Sequence, residues 1–440
     1  VATIKPFRAL RYNTSSVKMD QVVAPPYDII SAAEQESLYA KSPHNIIRIE
    51  YGKDEGGDKY KKAAEYLNQW IEKEFLRRDE KEGFYLYETL FKDLESDRIK
   101  KRIVIFGLFQ VEAFESKVIL PHEKTHSGPK EDRFKLLSAI QTNISPVYGL
   151  YQDSRHLAVE FRKKFEKQKP LYEFSLMDGE SHKLWSIQDT ADINQISKMF
   201  SDKQVLIADG HHRYETALRY SREQASGRRP QAASLKSGAV SLKLEAGSLQ
   251  PSDYCLMGLV ELEDEGLLIF PIHRVLKNIK KVSATELSKV LSPLFESRKI
   301  SEKELKGLSQ GKIRNEFAIC LPDGCLAFKV KDIKKARAEM PAGKPDIWYN
   351  LEVAQVSHLV LKHFGVDDKN LERYLEYTRF FDEALQVVRE KRMDAAVIVP
   401  PIEAKTMQAI CTLGELMPQK STYFYPKLGS GYLMYRHEPA

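Results

Sequence analysis

The sequence predicts an α+β protein in which β-hairpins are mixed with helices, flanked by N- and C-terminal α/β regions. Three observations carry the prediction. Paired β-branched and aromatic runs, Gly83 to Phe91 with Arg102 to Phe114 and Leu171 to Met177 with His182 to Ile187, flank charged or Asp-Gly turns, as antiparallel hairpins do. Elsewhere apolar residues recur at helical spacing, as at Tyr60, Ala63, Ala64, Leu67, Trp70 and Ile71. Strands and helices do not alternate regularly, which disfavours a doubly wound parallel sheet.

Taken in order, Val22-Val23-Ala24-Pro25-Pro26-Tyr27-Asp28 reads as a rigid loop, because adjacent prolines hold the backbone extended and remove two donors. The amphipathic stretch Asp58 to Leu76 predicts a helix, followed by the first hairpin. A helix over Arg155 to Lys167 precedes the second hairpin and another over Ile193 to Phe200 follows it. Gln204 to Ala208 reads as a buried strand and Tyr214 to Arg222 as a helix. Between Gln224 and Ser252 the chain turns rich in Ser, Gly, Ala and Gln and loses periodicity, so a loop or linker is placed at 226–252. Strands follow at Tyr254 to Leu262 and Leu267 to Ile272, and Ser283-Ala284-Thr285-Glu286 fits a capping box opening a helix to Phe295. Cys320 and Cys325 flank Pro322-Asp323-Gly324 and are expected to face each other across a hairpin; packing is the simpler role and a redox pair the alternative. Long helices are expected at Trp348 to Phe364 and Phe381 to Glu390, with an apolar strand at Ala395 to Val399. The organisation is an N-terminal region at 1–82, a core at 83–225, the linker and a C-terminal α+β domain at 253–440.

The 440 residues suffice for two or three domains, and 42% hydrophobic with 30% charged residues excludes wholesale disorder. The net charge of +6 comes from 68 basic and 62 acidic residues interleaved along the chain, so no basic arm calls for nucleic acid. Four scattered cysteines form no zinc pattern, and no stretch nears the ~20 apolar residues that span a bilayer. Lys5, Arg8 and Arg11 lead into no apolar core, so a cytoplasmic protein without a membrane partner is expected. Oligomeric state is not legible in these features.

The residues richest in chemistry are Asp209-Gly210-His211-His212-Arg213, on a turn from apolar strand to helix. Glycine allows a tight turn and close approach by a ligand, and free N–H groups at a helix start favour an anion. Two imidazoles and a guanidinium add donors suited to phosphate oxygens. The plain alternative is that Asp209 caps the helix and the basic residues are solvated; a zinc reading of His211 and His212 is weaker, since adjacent residues diverge. A second cluster runs from Pro121 to Arg133, too polar for a strand. There Glu123 is suited to accept a proton from an attacking hydroxyl, and Lys124, Lys130 and Arg133 to neutralise phosphate, against the alternative of a mobile charged loop. Lys420-Ser421-Thr422 is similar in part to a phosphate loop but lacks its glycine spacing. Tyr27 and Asp28, and Asn143 and Ser145 within Asn143-Ile144-Ser145-Pro146, are further polar loop residues beside apolar segments.

Together the stretches Ala24 to Asp28, His122-Glu123-Lys124-Thr125, Gly128-Pro129-Lys130 through Asp132-Arg133, Asn143 to Pro146, Asp209 to Tyr214 and Met417 to Thr422 resemble a bacterial and archaeal family catalogued as a domain of unknown function. The Asp-Gly-His-His-Arg run with its upstream His-Glu-Lys, within about Val104 to Ser221, also resembles the free serine kinases of the ParB/sulfiredoxin-like superfamily. Sulfiredoxins place a cysteine where this chain has His211, and ParB-type partition proteins show Gly-Glu-Arg-Arg there and append a helix-turn-helix domain. Neither pattern is present.

The resemblance implies a ParB/sulfiredoxin-like core at 83–225 and phosphoryl transfer from pyrophosphate, ADP or ATP to the hydroxyl of free serine or a similar small alcohol. Glu123 is then the base, with Asp209 and His211 catalytic beside it, and Asp209 organises Mg²⁺. Donor phosphate falls to His122, Lys124, Thr125, Lys130, Arg133, Gly210, His212, Arg213, Lys420, Ser421 and Thr422. Tyr27, Asp28, Asn143 and Ser145 are left for the acceptor. The alternatives are phosphate-ester hydrolysis at the same centre and a nucleotide-responsive binding protein of ParB kind.

Overall fold

A computed structural model describes residues 2–54, 56–124, 127–176, 179–227, 249–367 and 370–437. The fold is mixed α+β, and the chain forms two compact units: Val1–Pro121, Thr125–Leu267 and Pro426–Ala440 in the first, His122–Lys124 and Leu268–Tyr425 in the second. Among the described residues no helix is long and apolar enough to cross a membrane. Most of the 226–252 segment, and Met177 and Asp178 of the second hairpin, lie outside the described residues.

The first unit is built on a nine-stranded sheet. Its strands are β1 (Ile4–Lys5), β2 (Phe84–Lys92), β3 (Ile99–Gln110), β4 (Ile119–Leu120), β5 (Val147–Tyr151), β6 (Tyr172–Ser175), β7 (Ser181–Ile187), β8 (Val205–Asp209) and β9 (Tyr254–Glu261). The order is β4-β8-β5-β9-β3-β2-β7-β6, with β1 added to β3. The β4–β8 and β5–β9 pairs are parallel and the others antiparallel. Both expected hairpins are present as β2–β3 and β6–β7.

The continuous apolar runs of β2, β3, β5 and β9 follow from burial of both sheet faces. Phe84, Leu86, Ile105, Val147, Ile207 and Leu259 share one core with Phe161, Ile196, Met199, Tyr214 and Ala217 of the helices Leu157–Phe165, Thr190–Phe200 and His211–Gly227. On the other side, Tyr87 meets Tyr432 of the C-terminal segment with ring centroids 5.4 Å apart. Gly258 leaves the space that Leu428 fills, since a Cβ there would lie 2.6 Å from the Leu428 side chain. The amphipathic helix predicted near Asp58 spans Lys59–Glu72, is capped by the Asp58 carboxylate and buries Ala63, Leu67 and Trp70.

The second unit holds a six-stranded sheet of β10 (His273–Leu276), β11 (Phe295–Lys299), β12 (Phe317–Leu321), β13 (Gly324–Val330), β14 (Leu375–Thr378) and β15 (Ala395–Ile398). It is antiparallel throughout, in the order β11-β13-β12-β15-β10-β14. The Ser283 capping box is formed as its sequence requires. Cys320 and Cys325 do pair across the β12–β13 turn, and their sulfurs are bonded rather than only packed. The single long helix expected from Trp348 to Phe364 is broken instead. Asp346–Tyr349 and Glu352–Gln355 are α-helical, Val356–Val360 widens to a π turn and Leu361–Phe364 tightens to a 3₁₀ turn. The Ser357 hydroxyl donates to the Val353 carbonyl at 2.8 Å, a back-bond that bends helices.

Candidate active site

The polar turn is shorter than the sequence suggests. Asp209 is the last residue of β8, and the helix begins at His211, two residues before the expected loop would end. Only Gly210 lies between them, with φ +88°. His211, His212 and Arg213 therefore occupy the first helical turn, where backbone N–H groups lack intrahelical acceptors. Gly210 is needed for its backbone angle and for space, because a Cβ would lie 2.9 Å from Arg213 Nε. Gly210→Ala is expected to cost about 1–3 kcal/mol in urea unfolding and to displace Arg213; an unchanged midpoint would show that the turn tolerates a side chain.

Asp209 stands between two cations. Arg213 Nη2 donates to its Oδ2 at 2.6 Å, and Lys427 Nζ donates to its Oδ1. Burial works against the Asp209 charge, but Lys427 and Arg213 outweigh it and hold the carboxyl well below the ordinary range. Arg213 also donates through Nη1 to the Pro146 carbonyl. His211 is buried and His212 partly exposed. Asp28 is exposed at its surface, yet desolvation by the surrounding protein and the nearby Asp209 charge raise its carboxyl, against the opposing charges of Arg213 and Lys427.

A largely buried network joins Tyr27, Arg133 and Ser145 through Glu50. Arg133 stacks over the Tyr27 ring at 4.1 Å, donates to the Glu50 carbonyl at 2.8 Å and pairs with the Glu50 carboxylate at 3.6 Å. It lies on the helix Ser127–Ile140, so this half of the 121–133 cluster is ordered helix. Burial pushes the Tyr27 hydroxyl up to about 12 despite Arg133. Asp132 accepts from Lys59 at 2.7 Å and Tyr60 at 2.9 Å. Burial opposes its charge, but Arg133, Lys59 and Tyr60 prevail and hold it at about 2. Lys130 is tied to Glu215 on the neighbouring helix. Ser145 donates to Glu50 Oε1 at 3.2 Å, and the Asn143 side-chain oxygen accepts from the Leu256 N–H at 3.0 Å.

These residues surround a cavity of about 50 Å³ lined by Glu50, Arg133, Asn143, Ser145, Arg213 and Thr216 among apolar neighbours. Glu50 Oε2, Arg213 Nε and Thr216 Oγ1 are buried there without a hydrogen-bond partner among the described residues. Buried polar atoms normally find partners, so an acceptor and two donors left open mark the cavity as a place for polar guests or water.

The remaining predicted residues, Thr125 apart, belong to the second unit. The strand Thr422–Tyr425 pairs with Leu268–Pro271. His122 is buried, its Nε2 lies 3.2 Å from the Thr422 hydroxyl, and its carbonyl accepts from the Met417 N–H at 2.8 Å. Ser421 is buried and donates to the Pro418 carbonyl, while Lys420 adopts a left-handed φ of 54°. Glu123 is partly exposed and Lys124 exposed. Thr125 lies outside the described residues.

As a ligand for Mg²⁺, Asp209 offers a carboxylate that already carries two cations. Beside desolvation, its charge also raises the neighbouring Asp28 carboxyl. Among the described residues, the His, Cys, Asp and Glu side chains grouped closely enough to share an ion are His156, Glu261 and Glu263. Glu261 ends β9 and pairs with Tyr151, whereas Asp209 pairs with Tyr148, so the two groups mark opposite ends of β5.

Sequence reasoning missed Lys427, Glu50 and Thr216. Lys427 had a local signal, since Pro426-Lys427-Leu428-Gly429-Ser430-Gly431 sets a cation in a glycine-rich turn after an aromatic strand. Glu50 and Thr216 had none; each sits in an ordinary helical pattern, and only the fold turns it toward the cavity.

No curated protein matches the chain. Among solved structures it is similar to a conserved hypothetical protein from Pyrococcus furiosus, 14% identical over 71% of this chain and 90% of that one, with a TM-score of 0.33. It is also similar to a free serine kinase in complex with AMP, 13% identical over 70% and 83% of the two chains with a TM-score of 0.31. SbnI with a C-terminal truncation from Staphylococcus aureus is 12% identical over 70% and 81%, with a TM-score of 0.33. The family described as "Protein of unknown function (DUF1015)" matches residues 4–354, and with most of its length so matched the chain belongs to that family.

Proposed function

We propose that this protein transfers a phosphoryl group from pyrophosphate, ADP or ATP to the hydroxyl of free serine or a similar small alcohol. The observation that carries the reading is the Asp209 turn: a carboxylate held between Arg213 and Lys427, directly before a helix start bearing His211 and His212. Two cations at a helix start suit a polyphosphate, whose charge must be neutralised as it is transferred. Arg213, His212 and the backbone after Gly210 bind the donor, with His211 beside them. When Mg²⁺ arrives with the donor it supplies charge neutralisation at the phosphates, and Asp209 with Asp28 would hold it.

The cavity beside Arg213 supports a small polar acceptor, with Ser145 and Asn143 on its wall and Glu50 Oε2 and Thr216 Oγ1 open to a hydroxyl. The role of Glu123 as base is carried by its His122-Glu123-Lys124 motif. The resemblance also assigns donor contacts to His122, Lys124, Thr125, Lys420, Ser421 and Thr422, and to Lys130 and Arg133.

The test is incubation of the full chain with pyrophosphate, ADP or ATP and Mg²⁺ against free serine, other amino acids and small sugars. A phosphorylated alcohol is the expected product. Free phosphate released at the same rate with and without acceptor would replace transfer by hydrolysis. Tight, salt-sensitive duplex DNA binding without phosphoryl transfer would replace it by the ParB-like reading.

A further inference from the structure

The segment after residue 425 lies beyond the family-matched residues 4–354, yet it reaches the Asp209 turn. It is held by Arg102 of β3, a wholly buried arginine whose guanidinium donates to the carbonyls of Pro426 and, at 3.4 Å, Lys427. Arg102 also faces the Tyr148 ring at 5.4 Å, so the anchor is built into the sheet. These bonds fix the backbone of Lys427 and send its ammonium to Asp209 Oδ1, with the lysine side chain 13% exposed.

Arg213 alone would neutralise Asp209. Withdrawing a second cation from water carries a desolvation penalty before any attraction is counted; of the other carboxylates near Arg213, Glu50 is already paired with Arg133 and Asp28 is solvent-exposed. The arrangement therefore keeps a desolvated ammonium beside the helix start, while Arg213 Nε, nine-tenths buried, has no partner among the described residues. A polyphosphate entering there meets both groups.

We propose that Lys427 is a donor-binding residue: its ammonium exchanges the Asp209 carboxylate for phosphate oxygens when a pyrophosphate-bearing donor binds, and the C-terminal segment completes the site. This rests on the phosphoryl-transfer reading above. No covalent bond changes; one ion pair replaces another, and the Asp209 oxygen so released is free for a cation accompanying the donor. Arg102 is the positioning residue, acting through the Lys427 backbone.

The experiment titrates the full chain with Mg²⁺-pyrophosphate by calorimetry, comparing wild type with Lys427→Ala, Lys427→Met and Lys427→Arg. The affinity is expected to fall about tenfold or more in the Ala and Met variants and to return to within a few-fold in Arg, because a charge-assisted contact to phosphate is lost and then restored. Melting curves on the same samples separate folding from binding, and Lys427→Met keeps the apolar stem should the Ala variant not fold. Binding by folded Lys427→Ala or Lys427→Met as tight as wild type overturns the inference and leaves the phosphoryl-transfer reading standing. A wild-type chain that binds neither pyrophosphate, ADP nor ATP overturns that reading itself.

Discussion

Glu123→Gln is expected to lower the single-turnover rate of phosphoryl transfer by about 10²–10⁴-fold while leaving donor affinity nearly intact. A serine hydroxyl is a weak nucleophile at neutral pH, and a carboxylate on its proton is worth that factor. Glutamine keeps the shape and loses the basicity, so the change falls on the chemical step rather than on binding. Glu123 is partly exposed, so the substitution removes no buried charge and leaves stability little changed. Rapid-quench turnover with saturating donor, beside a donor titration, gives both numbers. Unchanged turnover would remove Glu123 from the mechanism. Asp28 would become the next candidate, since it is a carboxylate beside Asp209 whose carboxyl desolvation and the Asp209 charge raise.

Arg213→Ala is expected to weaken pyrophosphate binding by about 10- to 100-fold, the equivalent of a charged hydrogen bond worth ~1.5–3 kcal/mol. It acts on stability as well. The guanidinium pairs with Asp209 at 2.6 Å, donates to the Pro146 carbonyl and packs where Gly210 leaves room. Breaking a buried pair usually costs ~3–5 kcal/mol, and the loss belongs at the lower end here because Lys427 remains on the same carboxylate. Arg213→Lys restores the charge but not the fork that spans Asp209 and Pro146, so it should recover part of the affinity and little of the stability. Calorimetric titration and urea unfolding separate the two effects. Donor affinity equal to wild type would confine Arg213 to holding the turn.

The sequence alone determined the local elements wherever one interaction at short range decides them. The hairpins β2–β3 and β6–β7, the helix Lys59–Glu72 with its Asp58 cap and the Ser283 capping box were legible for that reason. The chemistry of the Asp209 run was legible too, because an aspartate, a glycine and three basic side chains behind an apolar strand form an unusual local composition. Where the turn stopped was not legible; the first turn of a helix and a polar loop share a composition, and only the Tyr214 N–H bond to the Gly210 carbonyl at 2.9 Å separates them. The break near Ser357 was hidden because apolar spacing records which residues face a core and not whether a hydroxyl takes a backbone carbonyl.

Of the two partners of Asp209, one was decided by the tertiary structure alone. Arg213 is four residues away and follows from helical spacing, whereas Lys427 arrives from 218 residues further on, through a segment pinned by the buried Arg102. Glu50 and Thr216 are likewise brought to one cavity by the packing of helices against the sheet. Short-range patterns are fixed by steric and hydrogen-bonding choices within a few residues, and those are written in the chain. The pairing of charges across hundreds of residues depends on which buried surfaces meet, and that is settled only when the whole core closes.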